Sequence, residues 1–391
     1  MNEYYDIVVD ANNLMSSAKK CLQGVDWKYS SQSYYLNRID RVRKTQKRLI
    51  NMERMSDGFV VFYENERGKV REISSIHVNE RVVHRCENDF VLMPVLKPRL
   101  IYDTYSSLPE RGTRRCLERL KCQLQREFRR YGDNESYILV ADLHSYFKSI
   151  NHGQVYEQYS KLFKKNEPKI LYLTMDFIDA FGEVSLGLGS QVSQGTAGYY
   201  PNNIDHYIKE QLKIKGYGRY NDDFFLIHRD KDYLVDCCLP DIRKMYAELG
   251  IELNKTKTRV CKIGKEFKFL KAKIHISDTG KVYMRPDHDC LVRERRKLKR
   301  MKKKLDDGEI TFADVEQQYK SWKGHIEYFD SYRSVRNIDE LFNELFIKDW
   351  RENRNGKRNK RSKREYRSSD YKQRQHPAER RYGLELAAEW N

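Results

Sequence analysis

The chain has 391 residues, 39% of them hydrophobic and 12% aromatic, and carries a net charge of +18. That apolar and aromatic content, with 28 Tyr, excludes a disordered chain, and the length allows two or three subdomains around sizeable cores. The charge points to a polyanionic partner; the eight Cys lack a CxxC pair and no apolar run nears the ~20 residues of a membrane span, so a reduced, cytoplasmic protein is expected.

Residues 1–57 read as mainly helical, with a basic cluster from Arg38 to Arg48. GFVVFYENERGKVREISS then alternates in hydropathy and breaks at Asn65 to Gly68, which predicts a β-hairpin. Lys69 and Arg71 lie on its returning strand, either as a solvated face or as cations reaching a triphosphate. Residues 76–135 read as helices interrupted by SSLPERGTRR, whose Arg111, Arg114 and Arg115 suit nucleic-acid phosphates or plain solvent.

Tyr137 to Ala141 predicts a buried strand with Asp142 at its end. LGLGSQVSQGTAGYYPNNID places glycines before a polar, helix-entering segment, and glycine lets a backbone approach a nucleotide closely. GYGRYNDDFFLIH sets Asp222 and Asp223 between two strand-like runs, the layout of a hairpin whose turn lifts both acids out of a sheet. Burying such a pair is costly unless a cation compensates it, and a hard ion such as Mg²⁺ prefers oxygen ligands. Three clustered acids can hold two such ions about 3.5–4 Å apart, one activating a 3′-hydroxyl and the other stabilising pyrophosphate.

LGIELNKTKT and FKFLKAKI follow, and then a basic helical stretch with a stripe from Arg293 to Lys304. ITFADVEQQYKSWKGHIEYF has apolar residues at helical spacing, with Thr311 as its N-cap, and VRNIDELFNELF adds a further amphipathic helix. From Trp350 the chain becomes highly charged and loses periodicity, as a nucleic-acid-binding tail would.

In this order the segments resemble a bacterial reverse transcriptase over roughly residues 1–345. Asp142 with Phe147 resembles the family's first catalytic segment, Leu186 to Gln194 its second, and Tyr220 to Asp223 its Tyr-x-Asp-Asp box. The stretch ending at Lys257-Thr258 resembles the fourth, Phe267 to Ile274 the fifth, and GKVREISSIHVNERVVHR the fingers.

The resemblance implies an α+β right-hand polymerase. Fingers span 1–135, a palm of antiparallel sheet plus helices 136–278, a helical thumb 279–349, and a basic tail 350–391. It implies an RNA-directed DNA polymerase with Asp142, Asp222 and Asp223 as ligands of two Mg²⁺ ions, Mn²⁺ being a substitute. Arg71, ahead of Lys69, would contact the incoming nucleotide, and Phe147 would select deoxynucleotides unless it is simply core. Leu188, Gly189 and Gln194 would line the nucleotide and template side, and Lys257, in competition with Lys255, would donate a proton to pyrophosphate.

Several residues depart from the commoner family pattern. Many relatives carry Gln at the place of Leu188 and Pro at that of Gln194. The pattern here resembles diversity-generating retroelement and bacterial defence enzymes, and an apolar Leu188 implies reduced fidelity. Lys271 replaces the usual Gly after Phe269-Leu270, Lys148 stands where an acid is common, and Asn221 fills the variable position of the acidic box.

The implied partners are an RNA template, typically a dedicated noncoding RNA, a DNA product, deoxynucleotides, and an accessory protein or second copy, with no membrane. No ribonuclease H, integrase or endonuclease module is expected. Antiviral defence and protein diversification are both open as roles. Template-independent synthesis, including priming on a Tyr or Ser hydroxyl, and a non-catalytic nucleic-acid scaffold are the competing classes; retention of three acids argues against the scaffold.

Overall fold

A computed structural model describes residues 3–347 apart from 67 and 164–166; the basic tail expected over 350–391 lies outside the described residues, as does the side chain of Lys69. The chain mixes helices with antiparallel sheets and divides into two units. One is Met1–Leu270 with Ile274–Val282, and the other is Lys271–Lys273 with Tyr283–Asn391.

The first unit opens with α1 (Glu3–Val9), α2 (Ala11–Leu22), α3 (Tyr29–Leu36) and α4 (Arg38–Ile50). Asp10 starts α2 by accepting the Asn13 N–H at 2.9 Å, which satisfies one of the donors a helix leaves open. The predicted hairpin follows as β1 (Phe59–Glu66) and β2 (Lys69–Ile76), with Glu66 opposite Lys69. Gly68 takes φ of 85° in the connecting turn, and Asn65 Oδ1 accepts its N–H at 2.9 Å.

Next come α5 (Val78–Glu87), a short α6 (Met93–Leu96) and α7 (Thr113–Tyr131), then β3 (Tyr137–Asp142). Between β3 and the acidic hairpin lie α8 (His152–Phe163), α9 (Pro168–Asp179), α10 (Gln191–Tyr199) and α11 (Asn202–His206). The hairpin itself is β4 (Gly216–Tyr220) and β5 (Asp223–His228), followed by α12 (Leu239–Glu248) and β6 (Arg259–Lys262). These four strands form an antiparallel sheet in the order β4-β5-β3-β6. β3 is the inner strand between β5 and β6, and the run Ile138 to Ala141 is buried throughout, as a strand covered on both faces must be.

One hydrophobic core runs from the opening helices to this sheet. Tyr5, Val8, Leu14 and Leu49 belong to the same cluster as Val83, Leu139 and Phe224. The parts expected as fingers and palm therefore share a single apolar interior. Each fully buried side chain of this kind contributes about 1.5–3 kcal/mol of transfer free energy.

Three short strands, β7 (Phe267–Phe269), β8 (Ala272–Ile276) and β9 (Val282–Pro286), occupy the stretch where the units divide. Between β7 and β8 the turn residues Leu270 and Lys271 take φ of 46° and 65°. Two consecutive positive φ angles are the type I′ hairpin pattern, so the turn forms without the expected glycine, at the cost of strain in two side-chain-bearing residues.

The second unit is helical: α13 (His288–Asp306), α14 (Phe312–Ile326) and a helix within 332–347. Leu298, Met301, Phe312, Val315, Tyr319, Ile338, Phe342 and Phe346 form its core. Thr311 caps α14 as predicted, in a reciprocal capping box with Asp314. Arg293, Arg296, Lys299, Arg300 and Lys303 lie exposed along α13, opposite the buried Leu298 and Met301. Among the described residues no helix is long and apolar enough to cross a membrane. All eight cysteines are free thiols.

Candidate active site

Strand register sets the three aspartates at neighbouring backbone positions. Asp142, the last residue of β3, lies opposite Asp223, the first of β5. Asp223 in turn pairs with Tyr220 across a two-residue turn made of Asn221 and Asp222. Asn221 takes φ of 51°, a conformation asparagine tolerates better than most residues. The Asp222 carbonyl accepts the Leu143 N–H at 2.9 Å, which ties the turn to the chain just past Asp142.

The LNKTK segment closes the other side. The Asp142 carbonyl accepts the Asn254 N–H at 2.7 Å, and Asn254 Nδ2 donates to Asp142 Oδ2 at 3.2 Å. Lys257 Nζ lies 2.7 Å from Asp142 Oδ1. Lys257, and not Lys255, is thus the lysine that meets the carboxylates.

The electrostatics are those of crowded acids. Burial, with the neighbouring charge of Asp142, pushes the Asp222 carboxyl above its ordinary value, while Lys257 and Arg71 pull the other way. Arg71 on β2 therefore lies within electrostatic reach of the site. Burial works against the Lys257 ammonium, but its hydrogen bond to Asp142 and the charges of Asp142, Asp223 and Asp222 outweigh it and hold its pKa above the usual lysine value. Among the described residues no three His, Cys, Asp or Glu side chains converge closely enough to cage a metal ion. The donor set of Asp142, Asp222 and Asp223 is nonetheless all oxygen, the chemistry a hard divalent cation prefers.

Phe147 follows in a short 3-10 turn, half-buried against the core, with its ring edge-on to Tyr146 at 5.9 Å. The Phe147 carbonyl accepts the Leu186 N–H at 2.7 Å, so the first and second segments run side by side. The N–H groups of Leu143 and His144 are spent on the Asp222 and Glu252 carbonyls, so these two donors are not offered to a phosphate.

Two glycines shape the second segment. A side chain at Gly187 would collide with the Phe181 ring, and Gly189 takes φ of 120° with the Ser74 carbonyl of β2 at its flank. Leu188 between them is half-buried. Gln194 lies exposed on α10, lining a cleft of about 520 Å³ with Lys20, Arg85, Asn88 and Gln191.

No protein-family model matches the chain, and neither does any curated protein. Among solved structures it is similar to apo telomerase from Candida tropicalis truncated from its C-terminal domain, at 15% identity and a TM-score of 0.43, covering 58% of this chain and 54% of that one. It is also similar to telomerase from Candida albicans in complex with a fragment of telomeric RNA, at 13% identity and a TM-score of 0.46, covering 75% and 59%. The chain spans only about half to three-fifths of those telomerases, and a likeness this distant carries no argument about its chemistry.

Two supports escaped the sequence reading. Arg219, fully buried beside Tyr220, forms an ion pair with the equally buried Asp205 of α11 at 2.6 Å and donates to the Gly198 carbonyl at 2.7 Å. Asp205 also accepts the Tyr217 hydroxyl at 2.5 Å, so the acidic hairpin is bolted to α11 through one carboxylate. The second support is Ser190, which caps α10 by accepting the Ser193 N–H at 3.2 Å. His84 of α5 lies 2.8 Å from the Ser190 hydroxyl and 3.2 Å from Glu80. Burial lowers the His84 pKa, despite the opposing effect of Glu80, so the ring is neutral. A neutral ring satisfies the whole chain if Nε2–H donates to Glu80 and Nδ1 accepts from Ser190. A buried Arg in an alternating strand and a His on a helix face are the only signals the sequence offered for these.

Arg111 is committed to the Thr104 carbonyl at 2.6 Å, while Arg114 and Arg115 flank Glu118 at 3.2 and 3.5 Å.

Proposed function

We propose that the chain is an RNA-directed DNA polymerase that makes DNA by nucleotidyl transfer at Asp142, Asp222 and Asp223. The observation that carries this reading is the register of β3 and β5, which sets Asp142 opposite Asp223 with Asp222 at the adjoining turn. Asp142 and Asp222, with Asp223, would hold Mg²⁺ or Mn²⁺, which when bound activates the primer hydroxyl and offsets charge on the pyrophosphate. Lys257, protonated beside Asp142, donates a proton to the departing pyrophosphate. Arg71 binds the incoming triphosphate, Phe147 packs under the sugar to exclude a 2′-hydroxyl, and Leu188 with Gly189 borders the nascent pair.

For the biological role we propose antiviral defence with a dedicated noncoding RNA as template. Protein purified from cells is then expected to carry one dominant RNA species, and a heterogeneous mixture counts against that role.

Primer extension with and without an RNA template, with Asp222→Ala as control, tests the activity. Products that need both the template and Asp222 are expected. Asp222-dependent products without template would establish untemplated synthesis instead, and products indifferent to Asp222, or none, would leave a nucleic-acid scaffold.

A further inference from the structure

Residues 27–39 expose an unusual amount of ring and hydrocarbon. Trp27 is 72% exposed, Tyr29 85%, Tyr35 51%, Leu36 79% and Ile39 69%. A soluble chain rarely leaves so many large apolar groups together in water without a use for them. Of these, Tyr35 and Leu36 also line a cleft of about 400 Å³, with Leu22, Asp26, Ser31 and Gln32.

Cations interleave with these rings. The Lys28 ammonium lies 5.3 Å from the Trp27 ring centre, and the Arg38 guanidinium 4.4 Å from that of Tyr35. Between 27 and 48 there are seven Lys or Arg against the single acid Asp40. On α4 the side of Val42, Thr45 and Leu49 is buried, while Arg43, Lys44 and Lys47 are exposed. The segment is held in place rather than loose, since Arg41 binds both Ser33 Oγ at 3.1 Å and Asn79 Oδ1 at 3.4 Å.

We propose that this surface, remote in sequence from the catalytic aspartates, is a stacking platform for single-stranded RNA. Every base has a face that can stack on Trp27, Tyr29 or Tyr35, and the neighbouring cations track the phosphates. The platform holds unpaired RNA and not a duplex, because stacked pairs have no free face to offer. Ser30, Gln32 and Asn37, exposed among the rings, supply groups that can hydrogen-bond a 2′-hydroxyl. The choice of RNA over DNA rests on the activity proposed above; the platform itself does not.

The test uses the full-length protein and a fluorescent 15-nucleotide oligouridylate, read by anisotropy. Trp27→Ala/Tyr29→Ala is expected to weaken binding at least about tenfold with little change in salt slope, and Trp27→Phe/Tyr29→Phe to restore most of it. Lys44→Glu/Lys47→Glu is expected instead to flatten the salt dependence, by about 0.7 in the log–log slope for each phosphate no longer neutralised. Photocrosslinking with 4-thiouridine should label peptides containing Trp27, Tyr29 or Tyr35. Unchanged affinity of the alanine pair, or crosslinks that miss these peptides, would overturn the platform. Tighter binding of the matching DNA oligonucleotide would overturn RNA as its occupant. Loss of self-association, or of binding to phosphatidylserine vesicles, in place of RNA binding would assign the surface to a second copy or to a membrane. Because binding needs no polymerisation, an inactive polymerase and a failed platform give different results.

Discussion

Lys257 and Lys255 are indistinguishable as letters, two lysines in one short polar run, and only coordinates separate them. Both are exposed, but Lys257 reaches Asp142 at 2.7 Å. Lys257→Met is therefore expected to lower the extension rate by about 10²–10⁴-fold, the usual contribution of a positioned proton donor. Lys255→Met should leave the rate near that of the parent chain. Single-turnover kinetics on a short RNA template with a DNA primer checks both, and equal losses for the two variants would remove Lys257 from its role. Leu188 raises a different question, since a hydrocarbon cannot bond to a nucleotide. Leu188→Gln adds one hydrogen bond of about 0.5–1.5 kcal/mol, and so should lower misincorporation by about two- to tenfold if the bond forms only with a correct pair. Deep sequencing of the products measures it.

At the scale of elements, the acidic hairpin owes its position to a buried ion pair. Arg219 and Asp205 are both fully buried, and Asp205 also serves Tyr217. Removing one partner leaves the other charged and uncompensated, so Arg219→Met is expected to cost about 3–5 kcal/mol in denaturant unfolding. Arg219→Met/Asp205→Leu should recover much of that loss, because a matched apolar pair leaves no orphaned charge. A double variant no better than the single would show that the pair is not the anchor. His84 adds a pH dependence to α5 and α10. Its folded-state pKa lies below the unfolded value, so the unfolded chain takes up the proton first and stability falls as pH drops below about 6.5. In His84→Gln that part of the decline should vanish, as thermal melts between pH 7.5 and 5.5 would show.

These two supports also mark where sequence reading stops. The strands were legible because Tyr137 to Ala141 and Phe224 to Ile227 are continuous apolar runs, and the Thr311 cap because Asp314 stands three residues on. The backbone pairing of Asp142 with Asp223 follows because one stands where an apolar run ends and the other where the next begins. Arg219 was not legible, since a basic residue in a strand signals solvent until the structure supplies Asp205 from another helix. Nor was the turn at Leu270-Lys271, where two positive φ angles occur without glycine. Local pattern specifies elements, while the polar bolts between them depend on distant residues meeting.

At the scale of the whole molecule, the net charge of +18 is the term that acts at longest range. Among the described residues part of it is displayed on exposed faces, with Arg43, Lys44 and Lys47 on α4 and Arg296, Lys299, Arg300 and Lys303 on α13. Cations so placed bind a polyanion by releasing its condensed counterions, so affinity should fall linearly on a log–log plot against salt. If six to ten phosphates are engaged on single-stranded RNA, the slope should lie between about −4 and −7. The stacking residues add affinity without adding slope, which separates the two contributions in one titration. Anisotropy measured from 50 to 400 mM KCl on an oligouridylate provides it. A slope shallower than about −2 would mean that the exposed lysines and arginines meet few phosphates, and that the charge serves solubility more than binding.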